Sequence, residues 1–204
     1  MKIHDITAPI YSGMPVYKNK PEKQPEITTS TSAHVTESRI TLDVHTGTHV
    51  DAPLHMINDG DTIETIELQQ LVRNVKVLDI TKTEGKISKQ DISSYAIEKD
   101  DFILLKTKNS YDEAFNFNFI YLAEDAAHFL VDKGIAGVGI DSLGIERAQE
   151  GHPTHRALMG NNIIIIEGLQ LKDIEEGEYF MVAAPLKIKG TDASPARILL
   201  MDKQ

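Results

Sequence analysis

Leu122-Ala-Glu-Asp-Ala-Ala-His-Phe-Leu-Val-Asp-Lys133 is followed by Gly134 and then by Gly137-Val-Gly-Ile-Asp141. The first part spaces its apolar residues as one face of a helix, and Gly134 supplies the stop. The second part is a short apolar run ending in an acid, which reads as a buried strand. Upstream, Phe102 to Thr107 is another apolar run rich in residues that favour strands. Together these predict a strand–helix–strand crossover, which joins parallel strands.

Other elements extend this unit. Residues 27–52 are rich in Thr, Ser, Val and Ile and predict strands. Val75 to Ile80, Asn162 to Glu167, Tyr179 to Ile188 and Ala196 to Met201 predict further strands. Thr65 to Val72 and Ser88 to Ile97 predict short helices, the second with Ser88 as N-cap. Pro153 to Met159 predicts another, with proline in its first turn. Residues 11–26, containing Pro15, Tyr17 and Pro21, read as an irregular Lys-rich loop. The expected class is mixed α/β: one domain over residues 1–204, with helices packed on a mixed sheet.

Composition narrows the function. The chain has 204 residues, long enough for a large core, and a net charge of −10. That charge argues against nucleic acid or an anionic membrane as partner. No cysteine is present, so any metal must be held by His, Asp and Glu. The absence also suits a reducing cytoplasm, and the N-terminus lacks a signal-peptide pattern.

The densest group of such residues is His45-Thr-Gly-Thr-His49-Val-Asp51-Ala-Pro-Leu-His55. On an extended strand His45, Gly47, His49 and Asp51 share one face. His49 and Asp51 would then lie roughly 7 Å apart at Cα, within reach of one ion, but His45 and His49 roughly 13 Å apart. For His45 to join, the chain must bend, and Gly47 is the residue that permits it. Pro53 ends strand pairing and turns His55 back. Zn²⁺ or Mn²⁺ would accept this mixture of ligands. The alternative is that the histidines cap or hydrogen-bond backbone. Farther on, His152 and His155 flank a helix start. Glu167 ends a strand of isoleucines, where a buried carboxylate needs a partner. The alternative there is a surface glutamate and surface histidines.

The eleven-residue segment resembles the signature of the cyclase family of metal-dependent hydrolases, which includes bacterial kynurenine formamidases. The resemblance covers nearly the whole chain. It implies that His45, His49 and Asp51 bind metal, joined by His155 and by Glu167 twelve residues later. It also implies that His55 is the general acid/base, and leaves His152 beside the site. One or two zinc ions, or manganese, would activate water for attack on the amide of an N-formyl aryl amine, as in tryptophan catabolism. The family fold is a swivelling β/β/α architecture, and a homo-oligomer, dimer or tetramer, is expected. One departure bears on substrate: where formamidases carry an aromatic residue followed by Pro-Gly-Asp, this chain has Tyr17 followed by Lys-Asn-Lys. Tyr17 could still stack on an aromatic substrate, or it could be an exposed loop residue. The rival readings are a hydrolase of cyclic amides such as isatin, and a metal-binding protein without catalysis.

Overall fold

The computed structural model describes residues 1–203. Twelve strands and four α-helices follow in chain order. Strands β1 (Ile3–Asp5), β2 (Glu26–Ser32), β3 (Val35–Thr41) and β4 (His49–Asp51) come first, then helix α1 (Leu68–Leu71) and β5 (Val72–Asp79). Next are β6 (Lys86–Ile87), α2 (Lys89–Ile92), β7 (Phe102–Lys106), β8 (Tyr121–Leu122), α3 (Glu124–Lys133) and β9 (Gly137–Ile140). The chain ends with α4 (Pro153–Met159), β10 (Ile164–Glu167), β11 (Gly177–Pro185) and β12 (Ala193–Asp202).

The main sheet runs β1-β12-β11-β5-β7-β9-β10-β4, and β4 also pairs with β12. That last pairing closes seven strands into a barrel-like ring, with β1 appended outside. The predicted crossover is present: β7 and β9 are parallel, with Phe102 opposite Gly137 and Leu104 opposite Gly139. The sheet is mixed, since β5, β7, β9 and β10 run parallel while β11, β12 and β4 add antiparallel pairs.

Period-2 alternation divides the apolar residues between two cores. Val50, Val75, Val77, Phe102, Leu104, Ile164, Ile166, Met181 and Ile198 belong to the core inside the ring. Leu78, Ile103, Leu105, Val138, Ile140 and Ile165 face the helices, where they meet Ala126, Ala127 and Leu130 of α3 and Leu158 of α4. Each fully buried Leu, Ile or Phe contributes roughly 1.5–3 kcal/mol of transfer free energy. The alternation also decides which way the polar residues of these strands point. Val50 faces the ring interior, so His49 and Asp51 face outward. Ile166 faces inward, so Glu167 points outward beside them. Gly137 leaves room for a ring, because a Cβ there would lie 2.1 Å from Phe102 Cε2.

Two helices are shorter than predicted. Of Thr65–Val72 only Leu68–Leu71 is α-helical, preceded by a 3₁₀ turn at Ile63–Thr65. β-Branched Val72 instead starts β5 opposite Val182. Of Ser88–Ile97 only Lys89–Ile92 is helical, with a capping box between Ser88 and Asp91. Ser93 and Ser94 then favour turns over helix continuation. β2 and β3 form a separate hairpin, exposed along its whole length.

Candidate metal centre

The segment from His45 to His55 takes three local conformations in turn. His45 lies in a turn, where Asp43 accepts hydrogen bonds from the His45 amide and, through its carbonyl, from Thr46 Oγ1. Gly47 then has φ +63°, the bend that His45 requires. Thr48 Oγ1 donates to the Gly168 carbonyl at 2.5 Å and accepts from the Ala8 amide at 2.8 Å. Gly168 itself has φ +70°, and a Cβ there would lie 2.4 Å from the Gly47 carbonyl oxygen. Two glycine backbones in contact therefore bring the His45 turn against the end of β10. His49, Val50 and Asp51 form β4, held between β10 and β12. Pro53 ends the strand and starts a 3₁₀ turn that finishes at His55.

Four elements converge as a result. His45 Nδ1 lies 3.1 Å from Asp51 Oδ1, and His49 Nε2 lies 3.4 Å from the same oxygen. Glu167 Oε2 is 3.3 Å from His49 Nε2, and Glu167 Oε1 is 3.3 Å from His155 Nε2. His155 Nε2 is 3.9 Å from Asp51 Oδ2. The five residues expected as ligands thus surround one volume, although His155 lies more than 100 residues from His45 in sequence. His55 joins at the edge, its ring centroid 4.2 Å from that of His45.

The donor set fits a divalent ion. Bonds of about 2.0–2.2 Å in tetrahedral geometry place neighbouring ligand atoms roughly 3.3–3.6 Å apart. The five contacts just given, 3.1–3.9 Å, fall close to this. His49 Nε2 and both oxygens of Asp51 are buried without a hydrogen-bond partner, a costly state for polar groups. His49, Asp51 and Glu167 form one group able to hold an ion, His45, Asp51 and His55 form another, and His155 groups with Glu146 and His152 in a third. Asp51 belongs to the first two, so its carboxylate could serve two ions. Two of the imidazoles have an acceptor behind them, the Gly47 carbonyl at 2.8 Å from His49 Nδ1 and Asp192 at 2.9 Å from His45 Nε2, while Glu146 lies 3.5 Å from His155 Nδ1 as a charge partner without a hydrogen bond. Such outer partners orient metal-binding histidines.

Without an ion, protons balance the buried carboxylates. Burial would lower the His49 imidazole, but Asp51 and Glu167 push it up to about 10. Burial likewise opposes charge on His155, and Glu146 and Glu167 push it up to about 10. Burial and the Asp51 charge would raise Glu167, yet His155 and His49 hold it down at about 2. His55 differs. Burial, together with the charges of His45 and His155, keeps it below the ordinary histidine range.

Other residues fall outside this volume. His152 is exposed, sits at the N-cap of α4, and contacts Glu146 at 2.6 Å. Tyr17 packs edge-on against Phe115 and Phe119 at 5.4 and 6.5 Å. Phe115 and Phe119 also line a cavity of about 210 Å³ that reaches Gly47. The sequence reading missed Glu146 and Asp192. Glu146 carried a weak signal, an acid six residues before His152 in the segment leading to α4. Asp192 carried none beyond its place between Gly190 and a strand. Asp141, the acid ending β9, serves a different purpose: it accepts from Thr107, Ser110 and Asn109 and fixes the loop after β7.

Among the described residues no helix is long and apolar enough to cross a membrane. The sequence model of the cyclase family, described as "Putative cyclase", matches residues 4–147. A kynurenine formamidase of Bacillus cereus is 29% identical over 201 residues, covering 96% of this chain and 95% of the relative. The solved structure of a predicted metal-dependent hydrolase from Bacillus stearothermophilus is 64% identical, with a TM-score of 0.93 over 99% of this chain and 98% of that one. Isatin hydrolase A from Labrenzia aggregata, bound to benzyl benzoate, is 25% identical, with a TM-score of 0.88 over 100% of this chain and 94% of that one. With the signature, the ring-shaped sheet and these likenesses together, the chain belongs to the cyclase family and is a hydrolase.

Proposed function

We propose that the protein is a metal-dependent amidohydrolase that cleaves the amide bond of an N-formyl aryl amine. The observation that carries this reading is the convergence of His45, His49, Asp51, His155 and Glu167 on one buried volume, with His55 at its edge. Those five residues would hold one or two zinc ions, with manganese as the other candidate. When bound there, a divalent ion supplies an acidified water and a positive charge for a carbonyl oxygen. His55 takes a proton from the attacking water and returns it to the departing nitrogen. The carbon–oxygen bond forms, the carbon–nitrogen bond breaks, and formate and an aryl amine leave. The aromatic groups of Tyr17, Phe115 and Phe119 favour an aromatic substrate.

A second reading, opening of a cyclic amide, is favoured by the likeness to isatin hydrolase A and by the departure after Tyr17. The test is turnover of N-formyl anilines against isatin-like lactams by protein of known metal content. Faster turnover of the formanilides supports the first reading. Turnover of lactams alone replaces it with the second, and no turnover of either removes both.

Metal binding should release protons. His49 and His155, at about 10 without an ion, carry protons at pH 7, and a metal accepts only neutral imidazole. Glu167, at about 2, is already ionised and releases none. Affinity should therefore rise with pH, with release of roughly two protons per site filled. Calorimetric titration with Zn²⁺ in buffers of different ionisation enthalpy measures this directly. A slope near zero contradicts the protonation pattern.

We further propose a homo-oligomer, dimer or tetramer, working in the cytoplasm. The β2–β3 hairpin supports the assembly. A two-stranded ribbon is marginal by itself in water, yet Ile27 and Ile40 stand side by side on one exposed face. Light scattering should give a mass that is a multiple of 22.7 kDa. A monomer at micromolar concentration ends this proposal.

A further inference from the structure

Asp192 stands just before the side-chain row of β12, and its backbone is tied to the segment that carries the site. Its carbonyl accepts from the Ala52 amide at 2.9 Å, and the neighbouring Thr191 carbonyl accepts from the Ile63 amide at 3.0 Å. The position of its carboxylate is thereby set relative to the Pro53–His55 turn. One oxygen, Oδ2, lies 2.9 Å from His45 Nε2 and 3.2 Å from His55 Nδ1. An ionised carboxylate only accepts hydrogen bonds. Both nitrogens must therefore be N–H, and each neutral ring then has its lone pair on the other nitrogen. For His45 that is Nδ1, which lies 3.1 Å from the Asp51 carboxylate and so is unprotonated only when a bound cation takes the place of a proton there. For His55 it is Nε2, which makes no hydrogen bond among the described residues.

We propose that Asp192 is a positioning residue that sets two tautomers at once. It holds His45 with Nδ1 free to bind an ion and His55 with Nε2 free to accept a proton. This rests on the function proposed above. It adds that one carboxylate couples a ligand histidine to the acid/base histidine, so that both are oriented from the same point. Asp192 touches neither the reacting atoms nor the ion itself. Its effect passes through the two rings, as outer-shell carboxylates act elsewhere.

The test is nitrogen-15 NMR of the imidazoles in zinc-loaded protein, with the His55 signals identified from His55→Gln. The wild type should show His55 protonated at Nδ1 and unprotonated at Nε2. In Asp192→Asn, a near-isosteric change that places an amide donor beside the rings, the Nδ1–H form should lose its predominance. Turnover at saturating zinc should fall about 10–100-fold in kcat with KM little changed. Asp192→Glu, which keeps the carboxylate, should recover part of the loss. A wild-type His55 protonated at Nε2 overturns the proposal without any mutant. So does an unchanged tautomer in Asp192→Asn, or an activity loss that excess zinc fully restores. If the wild type hydrolyses neither formanilides nor lactams, the functional reading fails, while the tautomer measurement still decides the role of Asp192.

Discussion

Replacing Asp51 with alanine is expected to strip the protein of its metal and to lower kcat/KM by about 10³-fold or more. The magnitude follows from several kcal/mol of charge stabilisation by a bound ion, at about 1.4 kcal/mol per factor of ten. Asp51 is 3% exposed, and three imidazoles point at its two oxygens from different elements: His45 from a turn, His49 from the same strand, His155 from α4. Its backbone is locked opposite Ile165 and Ala193. Elemental analysis after dialysis reads the metal content. Thermal melting with and without a chelator gives a second readout. An ion held at 100 times its dissociation constant stabilises by about 2.7 kcal/mol, so wild-type protein should melt lower in chelator while Asp51→Ala should not respond. Unchanged metal content in the mutant would remove Asp51 from the ligand set.

The sequence made the crossover legible because α3 and β9 each obey a single local rule. Apolar spacing gives the helix, Gly134 ends it, and uninterrupted burial gives the strand. The closure of the sheet was not legible in this way. It depends on β4, three residues long, pairing with both β10 and β12. Nothing in His49-Val-Asp51 alone states that two partners more than 110 residues downstream will flank it. The short helices α1 and α2 show the opposite failure. Their helical periodicity was real but lost to Val72 pairing in the sheet and to turn-forming serines.

The site divides along the same line. His45, His49 and Asp51 could be grouped from spacing, and geometry alone required the bend that Gly47 makes with φ +63°. The match of His155 and Glu167 to a family pattern brought in the distant half, and the structure places both against the first half. What spacing cannot show is the second layer. Glu146 and Asp192 come from segments with no repeat or motif, and their meaning appears only when the carboxylates are seen behind imidazole nitrogens. Local sequence therefore encodes the first half of the candidate ligand set, while the fold supplies the carboxylates behind it. The substrate-facing region is the least encoded, since Tyr17 contacts rings at Phe115 and Phe119 that lie about a hundred residues away.

His55→Ala is expected to keep its metal and its fold while losing about 10²–10⁴-fold in kcat/KM, the usual worth of a positioned acid/base group. Two observations separate His55 from the proposed ligands. It lies past Pro53, in a 3₁₀ turn outside the β4 row, with its side chain 26% exposed. It is also the one histidine of the cluster whose burial and cationic neighbours hold it below the ordinary range. A group so placed is neutral at pH 7 and ready to accept a proton, whereas His49 and His155 are charged until an ion displaces their protons. The sign for activity follows from burial, which still lowers His55 when an ion has displaced the protons of the other histidines: lowering the pH through the His55 value protonates the base, so kcat/KM should fall on the acid side and hold its plateau at neutral pH. That acid limb should vanish from the residual activity of His55→Ala. The competing role is defined by the same geometry, since His55 also lies in a group with His45 and Asp51 that could hold an ion. Metal content distinguishes the two. If the alanine variant loses metal in proportion to activity, His55 is a ligand, and the proton must be carried by another group.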